Sequence, residues 1–489
     1  MDVIFLPYVD IFPVFSCRMI TFSFRKNYIP KVSDRSMADD EQGEINEIIA
    51  RTNRIPVWSL PTAFLAIIGL GYFFTFYDIS DIGLAMPTIA SQFHIGESTS
   101  LFIALSVGLI GYGIGSYIIG SVADVFGRYR SMILTMALTA VGSFGDAISM
   151  NVPELTIFRF ITGLGLGADL NLVSTYISEF APPSVRGRIT IYTFLVGILG
   201  QAVTPFIGLS LVPVFYDGWR WLFGIGAIIA VIALILRFEL PESPRWLATK
   251  GKNLTKARKV LEMMEANAIK KVGKLPEPDI KSVIVEEEKF PTLYLFRRPY
   301  SSRLALLIFV WFFWYIGNYA FLGDAATLLS NAGFSIASSI LYIAIGAVGY
   351  PVGAIIMLFT ADKIERKYVI FMDTVVWFIG LLLFATKDHI ALFAGSFLAS
   401  MALGMYLQVA YTFTAENYPT RARSSGFALT DGIGHVGGAF GALILPVIVT
   451  AYSFAVGFSF IAVTGLIAGI LVLVAGAKTT GQTLEAVSS

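Results

Sequence analysis

The chain has 489 residues, of which 56% are apolar and only 14% charged, and its mean hydropathy is +0.72. A soluble domain carries roughly 25% charged residues, so this composition excludes a water-soluble globular protein and makes lipid the solvent. A formal net charge of +1 gives no reason to expect a nucleic-acid partner. The single cysteine, Cys17, excludes an internal disulfide and a multi-cysteine metal site. The histidines, His94, His389 and His435, stand too far apart in sequence to suggest a zinc site. No phosphate-binding loop of the Gly-x-x-x-x-Gly-Lys-Ser/Thr type occurs, so an ATP-driven pump or other enzyme is not expected and no cofactor is implied.

Residues 1–56 read as a cytoplasmic tail. Met1–Phe24 is apolar but interrupted by Asp2, Asp10 and Arg18, too broken for a membrane span. It also has neither the basic start nor the cleavage site of a signal peptide. Met37 opens an acidic stretch and reads as a natural start, with 1–36 a misassigned or disordered extension.

Six apolar runs of about 20 residues follow, near 58–86, 99–122, 130–149, 153–179, 188–213 and 219–239. Residues 241–302 form a polar cytoplasmic linker, in which Lys256–Glu265 reads as a short amphipathic helix at the membrane surface. Six more runs lie near 303–328, 336–360, 368–386, 389–415, 424–449 and 452–476, and 479–489 is a second cytoplasmic tail. The expectation is an all-α membrane protein of 12 spans, in two six-helix bundles over 57–240 and 303–478.

The two sets of runs carry the same charged punctuation. Asp124 and Arg128 recur as Asp362 and Arg366, and Glu179 and Arg186 recur as Glu416 and Arg423. The landmarks share one offset to within a residue, which indicates an internal duplication of a membrane unit. Two similar membrane halves are the architecture of a secondary transporter. Lys and Arg set the orientation. Arg128, Arg130, Arg186, Arg188, Lys363, Arg366, Lys367, Arg421 and Arg423 lie in loops on one side, against Arg220 and Lys387 on the other. Both termini are therefore expected in the cytoplasm, with the protein in the plasma membrane.

Gly120-Ser-Val-Ala-Asp124-Val-Phe-Gly127-Arg128 closes the second span and resembles the corresponding loop of the major facilitator superfamily. Its second copy is degraded, with Glu365 in place of the glycine. The sugar-porter branch is the best match. Arg159-Phe-Ile-Thr-Gly163, Glu179-Phe-Ala-Pro182-Pro-Ser-Val-Arg186, Pro241-Glu-Ser-Pro-Arg-Trp-Leu247 and Glu416-Asn-Tyr-Pro-Thr-Arg421-Ala-Arg423 carry the resemblance. It implies a proton-driven carrier working by alternating access as a monomer. It also implies a cytoplasmic latch built from Asp124, Arg128, Glu179, Arg186, Glu242, Arg245, Asp362, Arg366, Glu416 and Arg423, the Glu and Arg residues pairing between halves.

Charges inside apolar spans default to functional candidates. They are Asp78, Asp81, Asp146, Asp169, Asp431 and the lone base Arg159, with Asp324 near an outer end. Phe74-Thr-Phe-Tyr-Asp78 resembles the first span of sugar–proton symporters, where this Asp faces the Arg matching Arg159. Asp78, Arg159, Asp81 and Asp169 are therefore the proton-coupling candidates. Gly167-Ala-Asp169 also resembles phosphate–proton symporters, but the match ends at Leu170. In the seventh span, Phe312 and Phe313 stand where sugar porters carry two amides, leaving Trp311, Trp314, Tyr315, Asn318 and Tyr319 as an aromatic, weakly polar lining. Of these, Trp314, Asn318 and Tyr319 join Asp169, Gln201, Asp431 and His435 as the substrate candidates, Asp431 and His435 sharing one helix face at i, i+4. The leading expectation is a proton symporter of a sugar or similar small metabolite. A phosphate or carboxylate symporter and a non-transporting solute sensor are the alternatives.

Overall fold

A computed structural model describes residues 32–96, 106–181, 183–249, 253–280, 295–298, 300–360, 363–418 and 423–479. The chain divides into two compact units, Met1–Glu44 and Ile45–Ser489. Helix α1 (Val32–Asn53) supplies the described part of the first and continues into the second. The extension proposed for 1–36 lies largely outside the described residues. All that follows concerns the second unit.

Its first half contains α2 (Thr62–Gln92), α3 (Val107–Phe126), α4 (Arg128–Ile148), α5 (Val152–Phe180), α6 (Pro183–Leu211) and α7 (Gly218–Arg237). Two further helices follow, α8 (Pro244–Thr249) and α9 (Leu254–Val272). The second half contains α10 (Tyr300–Asn331), α11 (Ile336–Ala347), α12 (Gly349–Thr360), α13 (Arg366–Ala385), α14 (His389–Glu416), α15 (Arg423–Ala451) and α16 (Phe454–Ala475). Among the described residues, 11 helical segments are long and apolar enough to cross a membrane, α11 and α12 together making one of them. The remaining expected span is α3, apolar over Val107–Gly120, whose preceding residues 97–105 lie outside the description.

The duplication is visible in the packing. In the first half α2 packs on α6 and α7, α3 on α5, and α4 on α5 and α7. In the second, α10 packs on α15 and α16, α11 and α12 on α14, and α13 on α14 and α16. Lipid offers no hydrophobic drive between helices, so close backbone approach has to hold them. Gly115 and Gly167 provide it on the α3–α5 seam, where a Cβ on either would strike the main chain of Leu164 or Tyr112.

Between halves, α2 meets α10, α3 meets α15, and α6 meets α11 and α12. At the α2–α10 crossing Gly83 lies against the main chain of Leu322 and Gly323. Any side chain at Gly83 would hold the halves apart there.

Helix α9 differs from the expectation of a surface helix lying on lipid. Its Ala257, Leu261, Met264 and Ala268 share one face and are buried with Trp58, Leu60, Tyr176 and Ile177 of the first half. Glu265 lies on the same face, where Arg51 Nη2 and Arg54 Nη2 reach its carboxylate at 2.7 and 2.6 Å. Burial alone would raise the Glu265 carboxyl, but the two arginines more than offset this and leave it below the ordinary value. A carboxyl lowered on folding contributes stability above its unfolded value and loses it as pH falls through the folded one. Acidification should thus free the end of α1 from α9, read as faster amide exchange over residues 45–53. Glu265→Gln should give that faster exchange already at neutral pH. Equal exchange in the variant and the parent would show that the clasp carries no load.

Candidate functional site

Arg159 projects from α5 into the first half and is 4% exposed. Its guanidinium faces three carboxylates. Nη2 donates to Asp78 Oδ2 at 2.7 Å, and Nη1 lies 3.4 Å from both Asp81 Oδ1 and Asp146 Oδ2. Asp78 and Asp81 come from α2, where i, i+3 spacing puts them on one face, and Asp146 from the last turn of α4. The Ser143 hydroxyl donates to Asp78 Oδ1 at 3.0 Å and the Thr162 hydroxyl to Asp146 Oδ2 at 3.4 Å. One guanidinium balances one carboxylate, and charges removed from water need partners. Three acids around one base therefore form a coupled group able to carry protons.

Asp78 and Arg159 border a cavity of about 30 Å³ with Ile82, Leu109, Tyr112 and Tyr319. A second cavity, about 20 Å³, is lined by Gln201, Asn318, Tyr315, Tyr319, Tyr411 and Phe76 among others. Both draw residues from the two halves, and each has room for about one water molecule. The halves therefore meet around this place. Tyr319 borders both cavities.

Beside them, Asp431 and His435 of α15 meet tyrosines from both halves. Asp431 Oδ1 accepts from the Tyr315 hydroxyl at 2.9 Å, and Oδ2 from the Tyr112 hydroxyl at 3.3 Å. The His435 ring stacks on Tyr112 with centroids 3.8 Å apart, and its Nε2 lies 2.9 Å from the Tyr319 hydroxyl.

The structure thus gathers Asp78, Asp81, Arg159, Gln201, Asn318, Tyr319, Asp431 and His435 at the junction of the halves. Two candidates fall elsewhere. Trp314 is fully buried within the second half, stacked on Tyr406 at 3.6 Å and beside Trp377, so it borders neither cavity. Asp169 faces inward in the first half, where Arg237 Nη2 donates to its Oδ2 at 2.9 Å and the Thr135 hydroxyl to its Oδ1 at 2.8 Å. With both oxygens held, it borders neither cavity. Arg159 is accordingly not the lone base of the spans. Arg237 is 0% exposed, and its position at the end of an apolar run suggests a cation snorkelling to water, but it turns inward.

Among the described latch residues, two pairs form inside a half. Arg128 Nε donates to Glu179 Oε1 at 2.9 Å, and Arg366 Nη2 lies 3.1 Å from Glu416 Oε1, so these two pairs tie helices within one half. Helix geometry explains this, since each arginine opens the helix packed beside the one its glutamate ends. Glu242 receives the backbone N–H groups of Arg128 and Tyr129 at 3.1 and 3.2 Å instead of pairing with Arg245, which reaches Asn53. Burial pushes the Glu242 carboxyl up, opposed by these donors. The side chains of Asp124, Arg186 and Arg423, and all of Asp362, lie outside the described residues.

Reasoning from sequence placed Tyr315 in the lining but passed over Tyr112 and Tyr411 at the junction, and Asp373 on α13. Asp373 is 2% exposed, and its Oδ2 has no hydrogen-bond partner among the described residues. An acid inside the 368–386 run was a visible signal; tyrosines in a chain with 21 of them were not.

A family model described as "Sugar (and other) transporter" matches residues 62–489. The niacin transporter of Acinetobacter baylyi is 27% identical over 456 residues, covering 90% of this chain and 99% of that protein. The 4-hydroxybenzoate transporter of the same organism is 30% identical over 407 residues, covering 81% and 87%. The arabinose-proton symporter of Bacillus subtilis is 26% identical, covering 85% and 92%. An inward-open structure of the xylose transporter XylE from E. coli superposes with a TM-score of 0.69 at 22% identity, covering 87% of this chain and 98% of that one. That likeness identifies the fold, 12 helices in two bundles, as the major facilitator one.

Proposed function

We propose, from the premise that the chain belongs to the sugar (and other) transporter family and is a transporter rather than an enzyme, that it is a proton symporter of a small polar metabolite. It works by alternating access, as a monomer, in the plasma membrane with both termini in the cytoplasm. The carrying observation is the cluster of Asp78, Asp81 and Asp146 around Arg159, of which Asp78 and Arg159 border a cavity lined from both halves. The base and the hydroxyl donors of these acids all belong to the first half, so rocking of the halves changes the access of water to them instead. A carboxylate cut off from water gains affinity for a proton. No bound cofactor is needed, since the proton gradient supplies the energy.

The solute site in this reading is the second cavity. Gln201 and Asn318 offer amides, Tyr315, Tyr319 and Tyr411 offer hydroxyls and ring faces, and Phe76 an apolar wall. The cavity as it stands holds about one water molecule, and once widened by separation of the halves its lining suits a sugar-sized solute with hydroxyls to bond. The aromatic walls also favour a second reading, a small aromatic acid, in line with what the names of the niacin and 4-hydroxybenzoate transporters say of those proteins. Phosphate is disfavoured, because Asp169, which prompted it, is held by Arg237.

Uptake by proteoliposomes, acidic outside, tests the proposal with glucose, arabinose, nicotinate and 4-hydroxybenzoate as probes. At least one should accumulate above its outside concentration, and a protonophore should collapse the accumulation. Accumulation that survives the protonophore would overturn proton symport.

A further inference from the structure

Asp431 and His435 of α15 border neither cavity, yet each holds a tyrosine that does. The acceptors fix the direction of those hydrogen bonds. A carboxylate only accepts, and both Asp431 oxygens are engaged, Oδ1 by the Tyr315 hydroxyl at 2.9 Å and Oδ2 by the Tyr112 hydroxyl at 3.3 Å. Tyr315 has thereby committed its one proton. The Tyr411 hydroxyl lies 3.3 Å from that of Tyr315, so Tyr411 is the donor in this contact. His435 repeats the pattern. Its Nδ1 lies 2.7 Å from the backbone carbonyl of Asp431, which can only accept, so Nδ1 carries a proton. The neutral ring then accepts at Nε2, 2.9 Å from the Tyr319 hydroxyl.

Tyr315, Tyr319 and Tyr411 all line the second cavity, and all three have given their protons to protein acceptors. Only oxygen lone pairs are left for what enters. The amides add to this. Gln201 Oε1 and Asn318 Oδ1 belong to residues 1% and 3% exposed that line the same cavity, and neither oxygen has a hydrogen-bond partner among the described residues. A buried acceptor without a donor is costly, so both oxygens require a donor from the solute. The amide nitrogens of these two residues are the side-chain donors that remain. The nearby bases are committed, Arg159 to three carboxylates and Arg237 to Asp169.

We propose that Asp431 and His435 are positioning residues that leave the solute cavity lined by acceptors, so that it selects a hydrogen-bond donor, an alcohol or a primary carboxamide, over a carboxylate anion. The proposal rests on the reading of the second cavity as the solute site, and within that reading it decides against the aromatic acid. A carboxylate would set its lone pairs against those of the tyrosines. A site that leaves buried polar groups unmet by the wrong solute discriminates by about 10- to 100-fold.

Calorimetric titration of the purified protein in detergent at neutral pH, where carboxylic acids are anions, tests this with three matched pairs. They are nicotinamide and nicotinate, 4-hydroxybenzamide and 4-hydroxybenzoate, and glucose and glucuronate. In each pair that binds, the neutral member should have a Kd lower by about 10- to 100-fold. Equal or tighter binding of the anion overturns the proposal, and so does failure of all three neutral members to bind. Asp431→Leu removes both acceptors and frees the Tyr315 proton for the cavity, so the ratio should fall about 10-fold. A merely structural role would weaken both members alike and leave the ratio unchanged, which overturns the proposal. Asp431→Glu, which keeps the acceptors, should retain the ratio. Where Asp431→Leu does not fold or binds neither member, Tyr315→Phe decides, because it takes away the acceptor of the Tyr411 proton and should lower the ratio in the same way. An unchanged ratio there, or binding of neither member, overturns the proposal. Accumulation that survives a protonophore while the binding ratio holds overturns proton symport and leaves this inference standing.

Discussion

Asp78→Asn is expected to abolish accumulation, so that proteoliposomes given an acidic exterior reach only the outside concentration of solute. Exchange of labelled for unlabelled solute should persist. The amide keeps the size of the protonated acid and can still accept from Ser143, the donor to Asp78 Oδ1. Binding and rocking therefore survive while the titrating group is gone. Arg159→Lys should also uncouple, because an ammonium lacks the fork that meets Asp78 through Nη2 and Asp81 and Asp146 through Nη1. Arg159→Ala is a harsher change. It strands buried acids without their base, and breaking a buried ion pair costs about 3–5 kcal/mol. Continued uphill accumulation by Asp78→Asn would move the proton site to Asp81 or Asp146.

Arg237→Leu should destabilise the protein by about 3–5 kcal/mol, the cost of leaving a buried charge without its partner. Arg237 also donates to the Met132 carbonyl at 2.9 Å, so its loss removes a brace between α7 and α4. Asp169→Asn should cost a comparable amount for the same reason. The double variant should be less destabilised than the two single changes together, since neither charge is then stranded. Thermal unfolding in detergent measures all three. Asp169→Asn with wild-type stability but no solute binding would return this residue to the transport site. Retained exchange in the double variant would fix the pair as structural.

The spans and the two matching halves were legible in the sequence because lipid imposes them. About 20 apolar residues are needed to cross, and backbone groups at that depth must bond within the helix. The charged landmarks mark helix ends for the same reason, and the two halves pack in matching patterns. The acids of the junction were legible too, because Asp78, Asp81 and Asp431 are costly exceptions in apolar runs.

Partners and facing directions were decided only by the tertiary structure. A span surrounded by protein and lipid is apolar on every side, so helical periodicity does not tell a cavity-facing residue from a packed one. Trp314 and Asn318 lie one helical turn apart on α10, yet Trp314 enters the interior of the second half and Asn318 borders the cavity. Arg237 is read from sequence as the end of a run, and α4 and α5 turn it inward to Asp169. Glu179 meets Arg128 and Glu416 meets Arg366 because neighbouring helix starts place those arginines within reach. Helix-to-helix distance selects which charges meet, and sequence spacing does not contain it.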